Sequence, residues 1–232
     1  MNILAIDTAT DILSIALETN QGTWFIESDA GLHHSERLIS MVDTLLIQSG
    51  TNKQDLNLLA CMEGPGSFTG LRIGFATVKG MALALSIPFI AIPTLDCMAY
   101  GWEFWPGSVI PVIDAKKNCY FWAIYSRGHR ISDYMDAPIT DIVPYLASQK
   151  APLPLLMTGS DATDVQELMV NNQLSPISPD QIVLDSWHRK GKAKELLVLA
   201  KKRFTIEGRG SSDSSGPVYI RKSDAELSRG VE

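Results

Sequence analysis

Cysteine and positive charge are both scarce in this 232-residue sequence. Its 3 cysteines, Cys61, Cys97 and Cys119, are odd in number and far apart, which fits reduced thiols better than a disulfide framework or a zinc site. The formal net charge is −6, whereas a protein that binds nucleic acid strongly by itself usually carries a basic surface. The sequence therefore predicts reduced thiols and no strong, direct binding of RNA or DNA.

Long apolar runs are also missing. The longest, over residues 80–95, is interrupted by Pro88 and Pro93 and is shorter than the roughly 20 residues that a membrane-spanning helix needs. The opening segment, residues 1–7, has no basic lead-in, and Asp7 interrupts its apolar run, unlike a signal peptide. We expect a cytoplasmic protein that does not associate with a membrane.

What the sequence does have is the composition of a globular protein, 45% hydrophobic and 20% charged. Apolar and polar residues alternate over 12–18, which is the period of a half-buried strand. After Ser35 the apolar residues recur at helical spacing, and Gly50 ends that helix. The first half is predicted to contain strands at 2–6, 12–18, 23–28, 58–62 and 89–92, with helices at 35–50, 69–86 and 95–102.

The second half repeats this order. Its strands are predicted at 109–113, 119–126, 130–136, 153–157 and 182–184, and its helices at 139–148, 161–170 and 190–204. Three strands followed by alternating helices and strands, twice over, indicate an internal duplication. The predicted fold class is α/β, with two tandem ribonuclease-H-like lobes of the actin, sugar-kinase and Hsp70 type, each β-β-β-α-β-α-β-α. We place the lobes at residues 1–106 and 107–232 and predict a flexible loop at 208–216.

In such a fold, ligands bind in the cleft between the lobes, near the carboxyl ends of the central strands. Asp7 and Asp114 end the first strand of each half, so we expect them to face each other across that cleft. Asp7, with Thr8 beside it, could position a magnesium-bound phosphate. Alternatively, Asp7 hydrogen-bonds the turn after its strand and binds nothing.

A glycine-rich stretch lies between the predicted strand at 58–62 and the helix that follows it. It reads GPGSFTGLRIG over residues 64–74. Backbone N–H groups of Gly64, Gly66 and Ser67 could converge on an anion at the helix N-terminus. The stretch lacks the Gly-Lys-Ser/Thr ending of a P-loop. The alternative is a tight turn whose glycines permit close packing.

Several segments resemble the TsaB/YeaZ family. They are the opening LAIDTAT, the helix start HSERL, the long run over residues 64–99, VIDAKKNCYFWAIY, and PVYIR near the end. The resemblance is dense over residues 1–125 and weak over 126–215. Lys116, Lys117, Asn118 and Cys119 depart from the family's usual D-A-R-x-x-E-V-Y strand.

The resemblance implies a non-catalytic subunit that supports a TsaD-type enzyme. That enzyme transfers threonylcarbamoyl to an adenosine beside the tRNA anticodon, and the subunit acts as scaffold or activator. Its partners would be the TsaD-type subunit and a TsaE-type ATPase, with tRNA contacted only indirectly and a homodimer when alone. Thr94 and Met98 stand where the catalytic relative has its two metal-binding histidines, so no metal site is expected.

The resemblance requires no cofactor, although weak ATP or ADP binding at the cleft stays an alternative. Two other functions are alternatives: an actin-fold small-molecule kinase, and an M22-type metalloprotease-like protein.

The helices that begin at Ser35 and Thr69 are the predicted partner surface. Each has an apolar stripe for its own sheet, and the second helix has few charged residues elsewhere. Glycines inside a helix cost about 1 kcal/mol each relative to alanine, a cost that the close approach of another helix would offset. That helix could belong to this chain, to a second copy or to an actin-fold partner, and the resemblance favours the last two. The predicted interface residues are Gly70, Ile73, Gly74, Thr77, Gly80 and Met81.

Overall fold

The computed structural model describes residues 1–31, 33–148, 150–171 and 177–221. Its first lobe contains a five-stranded sheet of order β3-β2-β1-β4-β5, in which β1 pairs antiparallel with β2 and parallel with β4. The elements of this lobe are β1 (Ile3–Asp7), β2 (Ile12–Thr19), β3 (Gly22–Asp29), α1 (His34–Ser49), β4 (Leu58–Gly64), α2 (Phe68–Leu85), β5 (Phe89–Pro93) and α3 (Thr94–Ala99). The predicted strand and helix order of the first half is confirmed.

The second lobe repeats the strand order of the first. Its sheet runs β10-β7-β6-β11-β12, with β8 and β9 attached at the side of β6. The elements are β6 (Ser108–Asp114), β7 (Cys119–Trp122), β8 (Tyr125–Ser126), β9 (His129–Arg130), β10 (Met135–Pro138), α4 (Ile139–Ser148), β11 (Leu155–Thr158), α5 (Ala162–Asn171), β12 (Ile182–Leu184) and α6 (Ala193–Glu207). The same order in both sheets confirms the predicted α/β fold of two actin-type lobes.

Helices cover both faces of the first sheet, which explains why β1 is buried along its whole length. α1 and α2 cover one face, where Leu38, Leu45 and Phe75 join the core. The other face is covered by α6, which comes from the far end of the chain and packs Leu196 and Leu197 against β1 and β4. The prediction that residues 107–232 all belong to the second lobe is therefore wrong for this helix.

The two lobes share an apolar core at the base of the cleft. There α3 packs Leu95 and Met98 against Val109 and Ile113 of β6. Beside this core, the Asp96 carboxylate accepts hydrogen bonds from the hydroxyls of Tyr125, at 2.5 Å, and Tyr134, at 2.8 Å. Burial raises the pKa of both tyrosines, and the Asp96 charge raises it further, so both hydroxyls stay protonated donors.

The predicted strands at 119–126 and 130–136 are each broken. Ile124 N donates to Ser132 Oγ, and Ile131 N donates to the Ile124 carbonyl, so the chain leaves the sheet between β7 and β8. As a result, β7 pairs with the end of β6, whereas β8 pairs with its start.

Candidate functional site

The cleft between the lobes contains an open cavity of about 560 Å³. Gly66 and Ser67 line it from the first lobe, and Asp114 lines it from the second. These three predicted site residues are therefore brought together. Asp7, Thr8 and Gly64 are buried and do not line this cavity.

The turn between β4 and α2 packs against the loop that follows β1. A Cβ added at Gly66 would lie 2.4 Å from the Ala9 carbonyl oxygen, so only glycine fits there. Ser67 N donates to the same carbonyl at 2.8 Å, and Ser67 Oγ caps α2 by accepting from Gly70 N at 3.2 Å. The N–H groups of Ser67 and Gly70 therefore already donate to acceptors within the chain. This geometry favours close packing over the binding of an anion.

Asp7 is only 3% exposed and anchors the beginning of α6. One carboxylate oxygen accepts from Ala9 N at 3.0 Å, and the other accepts from Lys192 N at 2.8 Å and Ser14 Oγ at 3.4 Å. Ser14 Oγ in turn accepts from Ala193 N at 3.1 Å. Burial raises the pKa of Asp7, while its hydrogen bonds oppose that shift.

The expectation that Asp7 faces Asp114 across the cleft is therefore wrong. Helix α6 docks its N-terminus on the Asp7 carboxylate, which is where a negative charge stabilises a helix. A magnesium-bound phosphate would need those oxygens free and accessible. The residues at Asp7 do not fit a metal–nucleotide, and the turn hydrogen bond to Ala9 N was the better of the two interpretations.

Asp114 lies on the cavity wall, but its oxygens are also engaged. Lys116 donates to them through its backbone N at 2.6 Å and through Nζ at 2.6 Å. That contact raises the pKa of Lys116. Lys116, Lys117 and Asn118 all have positive φ angles, near 60°. This left-handed turn brings Lys116 back onto the carboxylate and occurs where the sequence departs from the family pattern.

Thr94 and Met98, the positions at which the catalytic relative has its metal-binding histidines, lie in the packed core. Thr94 is 1% exposed and Met98 is 3% exposed. Within the part of the chain that the structure describes, no group of three or more His, Cys, Asp or Glu side chains is placed to hold a metal ion. His34 contacts the Thr10 carbonyl at 2.8 Å, and His188 contacts Thr163, so both serve packing.

Gly70 and Gly74 are predicted interface residues that the structure places inside the chain. A Cβ at Gly70 would lie 2.1 Å from the Thr8 carbonyl oxygen, and one at Gly74 would lie 2.4 Å from Thr8 Oγ1. Thr8 Oγ1 also donates to the Gly70 carbonyl at 2.8 Å. The assignment of these two glycines to a partner surface is wrong, because the loop after β1 is the close neighbour that they accommodate.

The other predicted interface residues lie on or beside the outer side of α2. Gly80 is exposed, and an added Cβ would meet nothing within 4 Å. Ile73, Thr77 and Met81 are half-buried, and the side chains of Ile73 and Met81 pack against the core of the first lobe.

Five exposed residues of α2 form a stripe that we call the α2 ridge. Its members recur at helical spacing and carry one charge among them: Phe68, Arg72, Ala76, Gly80 and Leu83. Leu83 is 84% exposed, and Ile47 on the neighbouring α1 is 79% exposed. Sequence reasoning missed Phe68 and Leu83, although a helical-wheel projection opposite the stripe at Leu71, Phe75 and Val78 would have found them.

By length and composition α2 could cross a membrane, with 18 residues and a mean hydropathy of 1.2. A core helix of a globular lobe passes the same test, and α2 packs Leu71, Phe75 and Val78 into the protein. Its apolar composition is therefore that of a helix packed on a globular lobe.

Comparison with known proteins gives a consistent result. The family described as "TsaD: tRNA N6-adenosine threonylcarbamoyltransferase" matches residues 18–152, more than half of the chain. The Escherichia coli K12 protein "tRNA threonylcarbamoyladenosine biosynthesis protein TsaB" is 43% identical over 130 residues, which span 55% of this chain and only 56% of that one. Its Bacillus subtilis 168 namesake is 28% identical over 97% of this chain and 96% of its own.

Solved structures agree. YeaZ from Pseudomonas aeruginosa superposes with a TM-score of 0.75 at 26% identity, covering 94% of this chain and 99% of that chain. The chain belongs to the TsaB/YeaZ family. The resemblance of residues 1–125 is thus confirmed and extends to the fold of both lobes.

Proposed function

We propose that this TsaB/YeaZ-family chain works in the formation of tRNA threonylcarbamoyladenosine as a non-catalytic scaffold or activator of a TsaD-type subunit. The observation that carries the proposal is the α2 ridge. It presents apolar side chains on a helix whose opposite face is already packed. Exposed apolar surface of this kind marks protein–protein contacts.

The centre of the molecule supports a non-catalytic role. Asp7 anchors α6 instead of facing the cleft, and Thr94 and Met98 are buried core residues. We therefore assign the chemistry to the TsaD-type partner and require no nucleotide or metal of this chain. A TsaE-type ATPase would join the complex in the cytoplasm, and tRNA would be held through the partner, which suits a net charge of −6.

A second actin-type subunit suits the ridge because it offers a matching pair of helices. Packing α1 and α2 against such a pair would bury about 1,600 Å² in total, the usual size of a specific interface. In the absence of the partner, a second copy of this chain would use the same surface, which gives a homodimer.

Leu83→Asp tests this surface. A carboxylate placed in the centre of an apolar contact loses its hydration, so we expect binding to the TsaD-type subunit to weaken at least tenfold, about 1.4 kcal/mol. Isothermal titration calorimetry measures the loss. The fold should be unchanged, since Leu83 is 84% exposed.

The matched control is Ile206→Asp, on the outer side of α6. Ile206 is 74% exposed, so this variant makes the same kind of change on a different surface. We expect it to bind the partner as the wild type does. A result in which Ile206→Asp weakens binding and Leu83→Asp does not would move the interface to α6.

A further inference from the structure

The segment that follows α6 is hydrogen-bonded to the first lobe. Ser211 N donates to the Phe89 carbonyl at 2.7 Å, and Ser211 Oγ accepts from Ala91 N at 3.1 Å, so this segment pairs with the edge of β5. Lys79 Nζ on α2 donates to the carbonyls of Asp213, at 2.6 Å, and Ser215, at 3.0 Å. The loop predicted as flexible at 208–216 is thus held along the first lobe.

The next residues continue along the first-lobe wall of the cleft. Val218 N donates to the Glu63 carbonyl at 2.8 Å. A Cβ added at Gly64 would lie 2.6 Å from the Val218 carbonyl oxygen, so the two backbones are in close contact. Tyr219 then packs on α2, its ring 5.0 Å from that of Phe68.

Two residues later the chain reaches the second lobe. The Arg221 guanidinium donates to both carboxylate oxygens of Asp136 on β10, through Nε at 2.6 Å and through Nη2. Its Nη1 donates to the Ala115 carbonyl at 2.8 Å. A two-pronged arginine–carboxylate pair of this kind, with Asp136 largely buried, is among the stronger polar contacts.

The two lobes are joined differently at the base and at the mouth of their cleft. At the base, the shared core around α3 and the Asp96 contacts fix one lobe on the other. At the mouth, residues 218–221 line the cavity together with residues of both lobes. In this arrangement the lobes can rotate about the base of the cleft once the segment that bridges the mouth is released.

We propose that residues 217–221, which we call the clasp, hold the two lobes closed over the cleft, and that release of Arg221 from Asp136 lets the cleft open about its base. The clasp forms part of the cavity wall, so its release also widens the opening of the cavity. Tyr219 further ties the clasp to the α2 ridge, because its hydroxyl accepts from Arg72 Nε at 3.0 Å.

Cys119 provides a reporter for this opening. Its side chain contacts the Arg221 guanidinium and is half-buried, whereas Cys61 and Cys97 are 1% and 0% exposed. Burial also raises the pKa of both buried thiols, which lowers their reactivity. A chromogenic disulfide reagent added to the folded protein therefore reports on Cys119.

We expect Arg221→Ala to speed the labelling of Cys119 at least about tenfold, because local opening controls the reactivity of a covered thiol. The charge-swapped pair Arg221→Asp with Asp136→Arg should label more slowly than either single variant. Arg189→Ala is the matched control, since its guanidinium faces Asp29 of the first lobe at 4.0 Å. It should label as the wild type does.

A distance measurement separates opening of the lobes from simple uncovering of Cys119. Spin labels on cysteines introduced at Ser40 of α1 and Glu167 of α5, both exposed, span the two lobes in a Cys119→Ser background. We expect Arg221→Ala to shift the distances to longer values. An unchanged distance distribution would overturn the clasp, whether or not Cys119 labels faster. No partner subunit is present in either measurement, and mixing the labelled protein with an excess of unlabelled protein removes distances between two copies. The outcome therefore does not depend on the proposed function.

Discussion

Gly70→Ala is expected to destabilise the protein by at least about 2 kcal/mol, although it adds a single methyl group. That methyl would lie 2.1 Å from the Thr8 carbonyl oxygen. The loop after β1 and the first turn of α2 would have to separate, and the hydrogen bond from Thr8 Oγ1 to the Gly70 carbonyl would be disturbed. Chemical denaturation followed by circular dichroism measures the free energy of unfolding.

Gly80→Ala is the matched control on the same helix. Its Cβ would meet nothing within 4 Å, so only the helix propensity changes. We expect a gain of about 0.5–1 kcal/mol in the free energy of unfolding. Equal effects of the two substitutions would contradict the packing of Gly70 against Thr8. Gly74→Leu should follow Gly70→Ala and lose stability, whereas an interface role predicts near-normal stability and lost partner binding.

Asp7→Ala is expected to cost about 3 kcal/mol of stability. The substitution leaves the buried Lys192 N–H and Ala9 N–H without their acceptor, and it removes the negative charge from the N-terminus of α6. Since α6 covers one face of the first sheet, its loosening affects the whole lobe. Denaturant melts give the free energy, and hydrogen exchange of α6 locates the loss.

Asp114→Ala is the control for this substitution. Asp114 has a side chain 32% exposed and pairs with Lys116, which is 82% exposed, so we expect a change below about 1 kcal/mol. If Asp7→Ala kept its stability and yet abolished tRNA modification by the assembled complex, Asp7 would have a chemical role. The docking account of Asp7 would then be wrong.

Local patterns in the sequence predicted most of the fold. Alternation over 12–18 predicted β2, and the spacing of Leu38, Met41 and Leu45 predicted α1, because both signals arise within one element. The duplication was visible because the same order of elements recurs. The break in the strand at 119–126 was not predicted, since it follows from which part of β6 each segment pairs with.

Long-range contacts explain what was missed. The helix at 190–204 was predicted, but nothing in the spacing of its apolar residues, such as Leu196 and Leu197, says which of the two sheets they cover. The same holds for Asp7, whose position at the end of β1 was predicted while its partner at Lys192 is distant in the sequence. Glycines at 70 and 74 indicate close approach without identifying the approaching backbone.

Formation of threonylcarbamoyladenosine in a reconstituted reaction tests the central claim most directly. Threonylcarbamoyl adenylate and unmodified tRNA are incubated with this chain alone, with the TsaD-type subunit and TsaE-type ATPase without it, and with all three. The account predicts modified tRNA in quantity only when all three are present. Modification by this chain alone, or equal modification when it is omitted, would contradict a non-catalytic and activating subunit.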